Sequence, residues 1–421
     1  MRILVLGAGA VGGYFGGRLA EAGRDVTFLV RGPRAAALAE HGLKVASPLG
    51  DFQVPVEVAT ADRVGGPYDL VLLTAKHYDL DAAIDAIRPG IGPDTMVLPL
   101  LNGLVHLDRL DAALGPQRVL GGVAYVGAVL LPDGSISHRN RLSGIAFGER
   151  GGGITDRARA IEQLFAGTSV SAPVNDNILQ EMWEKFVMMG AMAGMNCLMR
   201  GTIGEIVATD DGAALMIAAL AECRAVAEAA GYPPRREARE RVEAMLTEPG
   251  SINSASMRQD LEAGRRTEAD AIVGDMLRRA RGFGIATPLL RAAWCHLQVH
   301  ENRLAARAVA SSGSRRRTVT SRPTRPPIQS PTARTWRDWM STSRAGFRPA
   351  AAWLESTSAS RAPAAARATI VRTGRYRAPA RVPTSTAAPA ITRGTTRSAI
   401  SRCRSRSRPP TGSAALTTSS C

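Results

Sequence analysis

The sequence predicts an α/β domain over residues 1–177, an all-helical domain over residues 178–307 and a disordered tail over residues 308–421. Three observations support this division. A glycine-rich turn follows an apolar run of strand length at the N-terminus, the hydrophobic spacing becomes helical after Asn177, and Arg, Ser, Thr, Pro and Ala dominate after Arg307. At 421 residues the chain is long enough for two or three domains with buried cores.

The first turn carries a glycine fingerprint typical of dinucleotide binding. An apolar run leads into a helical segment and a second β-rich run, and the turn between them reads Gly7, Ala8, Gly9, Ala10, Val11, Gly12. In such a unit the first glycine allows the tight turn, the second lets the backbone approach a pyrophosphate, and the third lets the helix pack on the strand. We therefore predict a Rossmann-type domain with these six residues against the cofactor.

The end of the second predicted strand indicates which dinucleotide fits. An NAD enzyme usually places Asp or Glu about 20 residues after the glycines, to bind the ribose 2′-hydroxyl. This chain has Arg31 and Arg34 there, and Asp25 comes too early to reach the ribose. Because a guanidinium pairs well with a 2′-phosphate, Arg31 favours NADP(H). Two solvated surface arginines are the alternative.

Two further predicted strands end in polar side chains, Lys76 and Asn102. Ligands of an open parallel sheet bind beyond the carboxyl ends of its strands, so we expect both residues beside cofactor or substrate. The remaining β-structure is predicted as a hairpin over residues 43–58 and as strands over residues 119–131 and 145–149, which would close the sheet.

Helical periodicity dominates the second domain. An apolar helix is predicted from Ile178 to Met199, which could line a core or a homodimer interface. Further helices are predicted at residues 213–230, 235–246, 269–283 and 289–307, with a charged link at residues 251–267.

Two charged residues of this helical part are candidates for catalysis. Lys185 lies in the apolar helix, where partial desolvation would lower its pKa and make it a usable general acid, unless it merely extends to solvent. Glu268 follows Thr267 at a predicted helix start, where the helix dipole alone would favour a carboxylate.

The net charge of +16 comes from the tail. Residues 308–421 contain 21 Arg, no Lys, one Asp and one Glu, whereas residues 1–307 contain 32 basic and 35 acidic residues. The folded part is therefore mildly acidic. The tail could bind nucleic acid, with Trp336, Trp339 and Trp353 stacking on bases, but we favour a segment without such a role.

The cysteines and the hydropathy restrict the class of protein further. The five cysteines lack the spacing of a disulfide framework or a zinc site, so we expect no metal and a reducing cytoplasm. No apolar run approaches the roughly 20 residues of a membrane span, so we expect no membrane partner.

The motifs, in their order, resemble the ketopantoate reductases (2-dehydropantoate 2-reductases) over residues 1 to about 307. The resemblance rests on the glycine fingerprint, the Asn-Gly strand end, Trp183-Glu184-Lys185-Phe186, and the segment SASMRQD to GRRTEAD over residues 254–270. It implies an NADPH-dependent oxidoreductase that reduces 2-dehydropantoate to pantoate, in pantothenate and coenzyme A biosynthesis, with a small 2-oxo acid as substrate.

The resemblance also implies residue roles. Lys185 would donate the proton to the carbonyl oxygen, and Glu268 would contact the cofactor and the reacting hydroxyl and keep Lys185 protonated. Asn102 would bridge the nicotinamide ribose and the substrate, and Ser256 would bind the substrate carboxylate. The remaining cofactor contacts would be Arg31, Lys76 and the backbone of Ala128.

Two positions depart from the family pattern. The helix after the lysine usually carries two asparagines that hold the substrate, whereas this chain has Met189 and Ala193. A missing hydrogen bond to a buried group typically costs about 1–3 kcal/mol, so another small 2-oxo acid or ketone is an alternative substrate. Asn196 and His106 are further candidates for substrate contact. From a different class, the alternative is a non-catalytic NADP-binding regulator with a nucleic-acid-binding tail.

Overall fold

A computed structural model describes residues 1–316 of the chain, with side chains described as far as Val309. The strands are β1 (Arg2–Leu6), β2 (Asp25–Leu29), β3 (Leu43–Ala46), β4 (Phe52–Val54), β5 (Glu57–Ala59), β6 (Leu70–Leu73), β7 (Met96–Pro99), β8 (Gly121–Leu130) and β9 (Ile136–Gly148). The helices are α1 (Ala10–Glu21), α2 (Gly32–His41), α3 (Leu80–Ile87), α4 (His106–Leu114), α5 (Asp156–Leu164), α6 (Ile178–Met199), α7 (Ile203–Val207), α8 (Gly212–Ala229), α9 (Arg236–Leu246), α10 (Ser256–Glu262), α11 (Asp275–Gly282) and α12 (Pro288–Arg316).

The N-terminal half is built on a five-stranded sheet in the order β5-β2-β1-β6-β7, with every pair parallel. Ile3 and Val5 of β1 pack in the same cluster as α1, whereas Leu4 and Leu6 pack with α3 and α4. Because the strand order reverses beside β1, a crevice for ligands lies at the carboxyl ends of β1 and β6. The Rossmann-type prediction is confirmed.

A second sheet, in the order β4-β3-β9-β8, corrects two predictions. β8 and β9 pair antiparallel with each other and do not close the first sheet, to which Val119 makes only an isolated bridge at Val97. β3 and β4 form a hairpin that is shorter than the predicted one over residues 43–58. Glu57–Ala59 is a separate strand, β5, which pairs with β2 in the first sheet. Local sequence patterns indicate strands, whereas their partners depend on long-range packing.

The second half is helical, and α6 begins and ends where the sequence predicted. Met182, Met189 and Met195 of α6 are buried within the chain's own core. The predicted link over residues 251–267 contains α10, and a π-helical turn at Asp270–Gly274 precedes α11.

The predicted tail begins inside a helix. α12 continues past Arg307 to Arg316, so its predicted end is wrong, and residues 317–421, with the three tryptophans, lie outside the described residues. Among the described residues, no helix is long and apolar enough to cross a membrane, and no group of His, Cys, Asp or Glu could hold a metal ion.

Candidate active site

The glycine loop between β1 and α1 has the shape that a dinucleotide requires. Gly7 has φ +96°, a conformation that L side chains rarely adopt. A Cβ at Gly12 would lie 2.2 Å from the Gly7 carbonyl oxygen, whereas a Cβ at Gly9 would meet no atom within 4 Å. Gly12 is thus needed for packing, and Gly9 leaves open space at the N-terminus of α1, so the loop fits the predicted cofactor.

Two arginines lie beside this loop after β2. Arg31 is 81% exposed and pairs with Asp79 at 3.0 Å, an acidic neighbour that sequence spacing alone did not indicate. Arg34 donates from Nη2 to the Ala8 carbonyl oxygen at 3.2 Å, and burial lowers the pKa of its guanidinium. The cationic group next to the glycine loop is therefore Arg34, while Arg31 is held by an acid at the surface.

Lys76, at the end of β6, joins the two halves of the chain through two carboxylates. Its Nζ lies 2.8 Å from Glu268 Oε2 and 3.5 Å from Asp260 Oδ2, and the His77 amide donates to Glu268 Oε1 at 3.2 Å. Burial alone would lower the pKa of Lys76, but Glu268 and Asp260 outweigh it and raise that pKa above its usual value. Glu268 is thus held on both oxygens by the segment that follows β6.

Lys185 has a different environment, although it lies on the buried α6. Its Nζ donates to the Ala124 carbonyl oxygen of β8 at 2.6 Å, and it forms no ion pair within the described part of the chain. Burial lowers the pKa of Lys185 to about 8, and the charge of Glu268 opposes this shift without cancelling it. The structure therefore places Glu268 in direct contact with Lys76, and its effect on Lys185 is electrostatic.

Asn102 lies where β7 meets both α6 and the π-helical turn. The next residue, Gly103, has φ +80°, and a Cβ there would lie 2.5 Å from the Ala271 carbonyl oxygen and 3.8 Å from the Phe186 ring. Asn102 is half-buried, and its side chain makes no hydrogen bond with the described residues. It is therefore close to the segments that carry Lys185 and Glu268, with its amide available to a ligand.

Ser256 is the first residue of α10 and is exposed. Residues four apart share a face of a helix, so Ser256 lies on the side of α10 from which Asp260 reaches Lys76. Asp260 is part of the motif over residues 254–270, but the sequence alone indicated no role for it. The structure thus brings Asp260, Lys76 and Glu268 together, and Ser256 lies one turn before Asp260 on α10.

Ala128 is less closely connected to this group. It lies on β8 four residues past Ala124, roughly 13 Å further along the strand, after a register shift in the pairing with β9. Its side chain packs against the core of the N-terminal half. No described hydrogen bond joins Ala128 to Lys185, Lys76 or Glu268.

Three further candidates are buried. Met189 and Ala193 are 7% and 0% exposed, so the face of α6 that continues from Lys185 is apolar. Asn196 is 0% exposed and satisfied within the fold, because it donates to the Gly201 carbonyl and accepts from the Ala255 amide. It fixes the start of α10 just before Ser256, and its complete burial keeps it from contacting a substrate.

His106 was predicted to face the cleft, and this prediction is wrong. It begins α4 and is 0% exposed, with both ring nitrogens buried and without a partner among the described residues. Burial lowers its pKa to about 3, so the ring is neutral. His106 therefore lies in the interior at the start of α4, which the sequence around Asn102 did not indicate.

A parallel sheet with a dinucleotide loop, facing a helical half that supplies a half-buried lysine, is typical of a nicotinamide-dependent oxidoreductase. Comparisons with known proteins support the same class of enzyme. Residues 3–152 match the sequence model described as ketopantoate reductase PanE/ApbA, and residues 177–301 match the model of its C-terminal part.

Individual relatives extend over the same part of the chain. The uncharacterized oxidoreductase YkpB of Bacillus subtilis is 34% identical over 301 residues, which cover 72% of this chain and 99% of the relative. The 2-dehydropantoate 2-reductase of Caulobacter vibrioides is 33% identical over 291 residues, 68% of this chain and 94% of the relative. A crystal structure of a PanE/ApbA family ketopantoate reductase from Ralstonia eutropha has 28% identity and a TM-score of 0.67, with 72% of this chain and 100% of that chain covered. The chain belongs to the ketopantoate reductase family and is an NAD(P)-dependent oxidoreductase that acts on a CH–OH group.

Proposed function

We propose that this protein reduces 2-dehydropantoate to pantoate with NADPH, a step of pantothenate biosynthesis. The observation that carries the proposal is the Lys185 ammonium, which is held by a carbonyl oxygen and has a pKa near 8. A donor with such a pKa is largely protonated at neutral pH and still releases its proton readily. We also propose that residues 1–177 form the cofactor-binding domain, with Asn102 at its edge towards the substrate, and that residues 178–307 form the helical substrate-binding and catalytic domain.

The reaction needs a hydride and a proton, and bound NADPH would supply the hydride to the carbonyl carbon. As negative charge grows on the carbonyl oxygen, the Lys185 ammonium stabilises it and then transfers its proton. Ser256 binds the substrate carboxylate, and Asn102 bridges the nicotinamide ribose and the substrate. Glu268, fixed by Lys76 and His77, contacts the cofactor and the hydroxyl that forms.

For the cofactor, we propose that Arg31 binds the 2′-phosphate of NADP. The phosphate would replace the carboxylate of Asp79 as the partner of the Arg31 guanidinium. Arg34 supports this proposal, because it adds a second guanidinium next to Ala8. The pair between Arg31 and Asp79 is exposed and therefore weak, so a doubly charged phosphate can replace the carboxylate. The other cofactor contacts are the backbone from Gly7 to Gly12, Lys76 and, less directly placed, Ala128.

The apolar face of α6 gives the second candidate function. Met189 and Ala193 offer no hydrogen bond to a hydroxyl on the substrate side chain. A small 2-oxo acid without that hydroxyl is therefore the alternative substrate, with the same proton donor and the same hydride transfer. Membership of an oxidoreductase family favours either enzyme over the non-catalytic regulator.

A substrate and cofactor screen tests these proposals. NADPH oxidation is measured with 2-dehydropantoate and with branched 2-oxo acids that lack the hydroxyl, and each is repeated with NADH. We expect turnover with 2-dehydropantoate, a higher kcat/KM with NADPH, and at least about 100-fold lower turnover by Lys185→Ala despite unchanged NADPH binding. A preference for the unhydroxylated acids would establish the alternative, and no turnover with any 2-oxo acid would refute both.

A further inference from the structure

The Lys185 ammonium lies against an aromatic ring as well as a carbonyl oxygen. Its Nζ is 5.4 Å from the centroid of the Tyr125 ring and 2.6 Å from the Ala124 oxygen, so consecutive residues of β8 supply both contacts. A cation within about 6 Å of an aromatic face is attracted by the negative face of the ring. Two uncharged groups therefore hold this charge.

The Tyr125 ring is fixed at its other end. Its hydroxyl donates to Glu181, one turn before Lys185 on α6, and Glu181 also pairs with Arg235 at 2.7 Å. Burial, with the hydrogen bond to Glu181, raises the pKa of Tyr125 above its usual value. The phenol thus stays protonated and keeps donating, which restrains the ring beside Lys185.

We propose that Tyr125 is a positioning residue for Lys185, whose ring keeps the ammonium group charged and directed while substrate is bound. The inference rests on the proposed role of Lys185 as proton donor. The ring is suited to this task because a carboxylate at the same place would form a tight ion pair and retain the proton. Lys76, with its two carboxylates, has that kind of environment.

Several other charged residues lie around Lys185 and Tyr125 and affect their protonation. Glu268 favours the ammonium and is itself paired with Lys76. On α6, Glu181 and Glu184 are both paired with Arg235, and Arg241 acts electrostatically on Tyr125. Substitutions at position 125 leave these charged residues in place. They also remove the hydrogen bond to Glu181, so a variant that loses only the hydroxyl is needed to isolate the effect of the ring.

The test compares Tyr125→Phe with Tyr125→Leu in the full chain. The pH dependence of kcat/KM is measured for NADPH oxidation with the best substrate of the screen. Activity falls as pH rises and Lys185 loses its proton, and the loss of the ring should move this fall to lower pH by about half to one unit. At pH 9, relative to pH 6.5, Tyr125→Leu should therefore be about three- to tenfold less active than the wild type. Tyr125→Phe keeps the ring and should follow the wild-type profile.

An unchanged pH profile in Tyr125→Leu would overturn the proposal. Equal shifts of the pH profile in both variants would also overturn it, because they would assign the effect to the hydroxyl and its bond to Glu181. A phenylalanine series with increasing ring fluorination at position 125 gives the same comparison at nearly constant shape. The pH of the fall should decrease with each fluorine, and a constant pH would also overturn the proposal. Failure of the proposed function has a different signature, because the wild type would then lack turnover or Lys185→Ala would retain it.

Discussion

Two lysines of this protein lie at the junction between its halves, and their surroundings give them opposite properties. Lys76 follows β6 and is bound by Glu268 and Asp260, which raise its pKa. Lys185 lies on α6 against a carbonyl oxygen and a tyrosine ring, and burial lowers its pKa to about 8. Paired carboxylates thus keep the Lys76 ammonium charged, whereas burial among neutral neighbours lowers the pKa of Lys185 to a value that suits the proton donor we propose.

The largest expected difference between the two lysines is in turnover. Lys185→Met should lower kcat by about 10²- to 10⁴-fold, the usual contribution of a general acid. Lys76→Met should instead raise the KM for NADPH by roughly tenfold or more, since it removes the charged contact to the cofactor that we propose for Lys76 and leaves Glu268 without its cation. Steady-state kinetics at saturating 2-oxo acid separates the two effects. A larger loss of kcat in Lys76→Met would reverse the assignment.

The pH dependence should distinguish the lysines next. In the wild type, kcat/KM should fall as pH rises through about 8, because the proton donor that we propose is the protonated form of Lys185. Glu268→Gln removes a charge that favours the ammonium, so the fall should move to lower pH by about half a unit, besides any loss of overall rate. Asp260→Asn is the matched control, because Asp260 contacts Lys76 and should leave the profile in place.

Replacing the two lysines should change the thermal stability of the protein in opposite directions. The pKa of Lys185 is lower in the folded state than the ordinary value of 10.5, so folding is opposed by the buried charge at any pH below about 8. Lys185→Met should raise Tm by about 2–4 °C at pH 7, and the gain should shrink as pH rises from 8 towards 10.5. Lys76→Met should lower Tm, because it leaves Glu268 buried without its cation. Calorimetry at pH 7 and at higher pH checks both signs, and a lower Tm in both variants would contradict the comparison.

The smallest effect is expected at the longer of the two ion pairs of Lys76. The distance to Asp260 is 3.5 Å, and Lys76 is 43% exposed, so solvent screens the interaction. Asp260→Asn should change the free energy of unfolding by less than about 1 kcal/mol. Asp260 also pairs with Arg265 at 2.9 Å, so Arg265→Gln is measured beside it by denaturant titration. A loss in Asp260→Asn that exceeds the loss in Arg265→Gln by more than about 1 kcal/mol would mean that Asp260, and not Glu268, dominates the environment of Lys76.

Local patterns predicted much of this fold, whereas long-range partners were harder to infer. The glycine fingerprint predicted the first βαβ unit, and continuous apolar periodicity placed both ends of α6 correctly. β8 and β9 were predicted as strands but assigned to the wrong sheet, because alternation in sequence does not specify which edge a strand joins.

In the candidate site, too, the sequence indicated residue types but not their long-range partners. Lys185 and Glu268 were recognised as residue types in a motif, but the partner of Glu268 is Lys76, 192 positions away in the sequence. Asp79 reaches Arg31 for a similar reason, since the segment after β6 lies next to the end of β2. Tyr125 carried no signal beyond its place in a strand. Such contacts depend on how the two halves of the chain meet.

At Gly103 the N-terminal half of the described chain comes into close contact with the helical half. With no side chain there, the backbone after β7 contacts the backbone of the π-helical turn at Ala271 directly. The distance between Asn102 and the helical half is therefore limited at this point by the contact of two peptide groups. A methyl group at position 103 would force these two backbone segments apart next to Asn102.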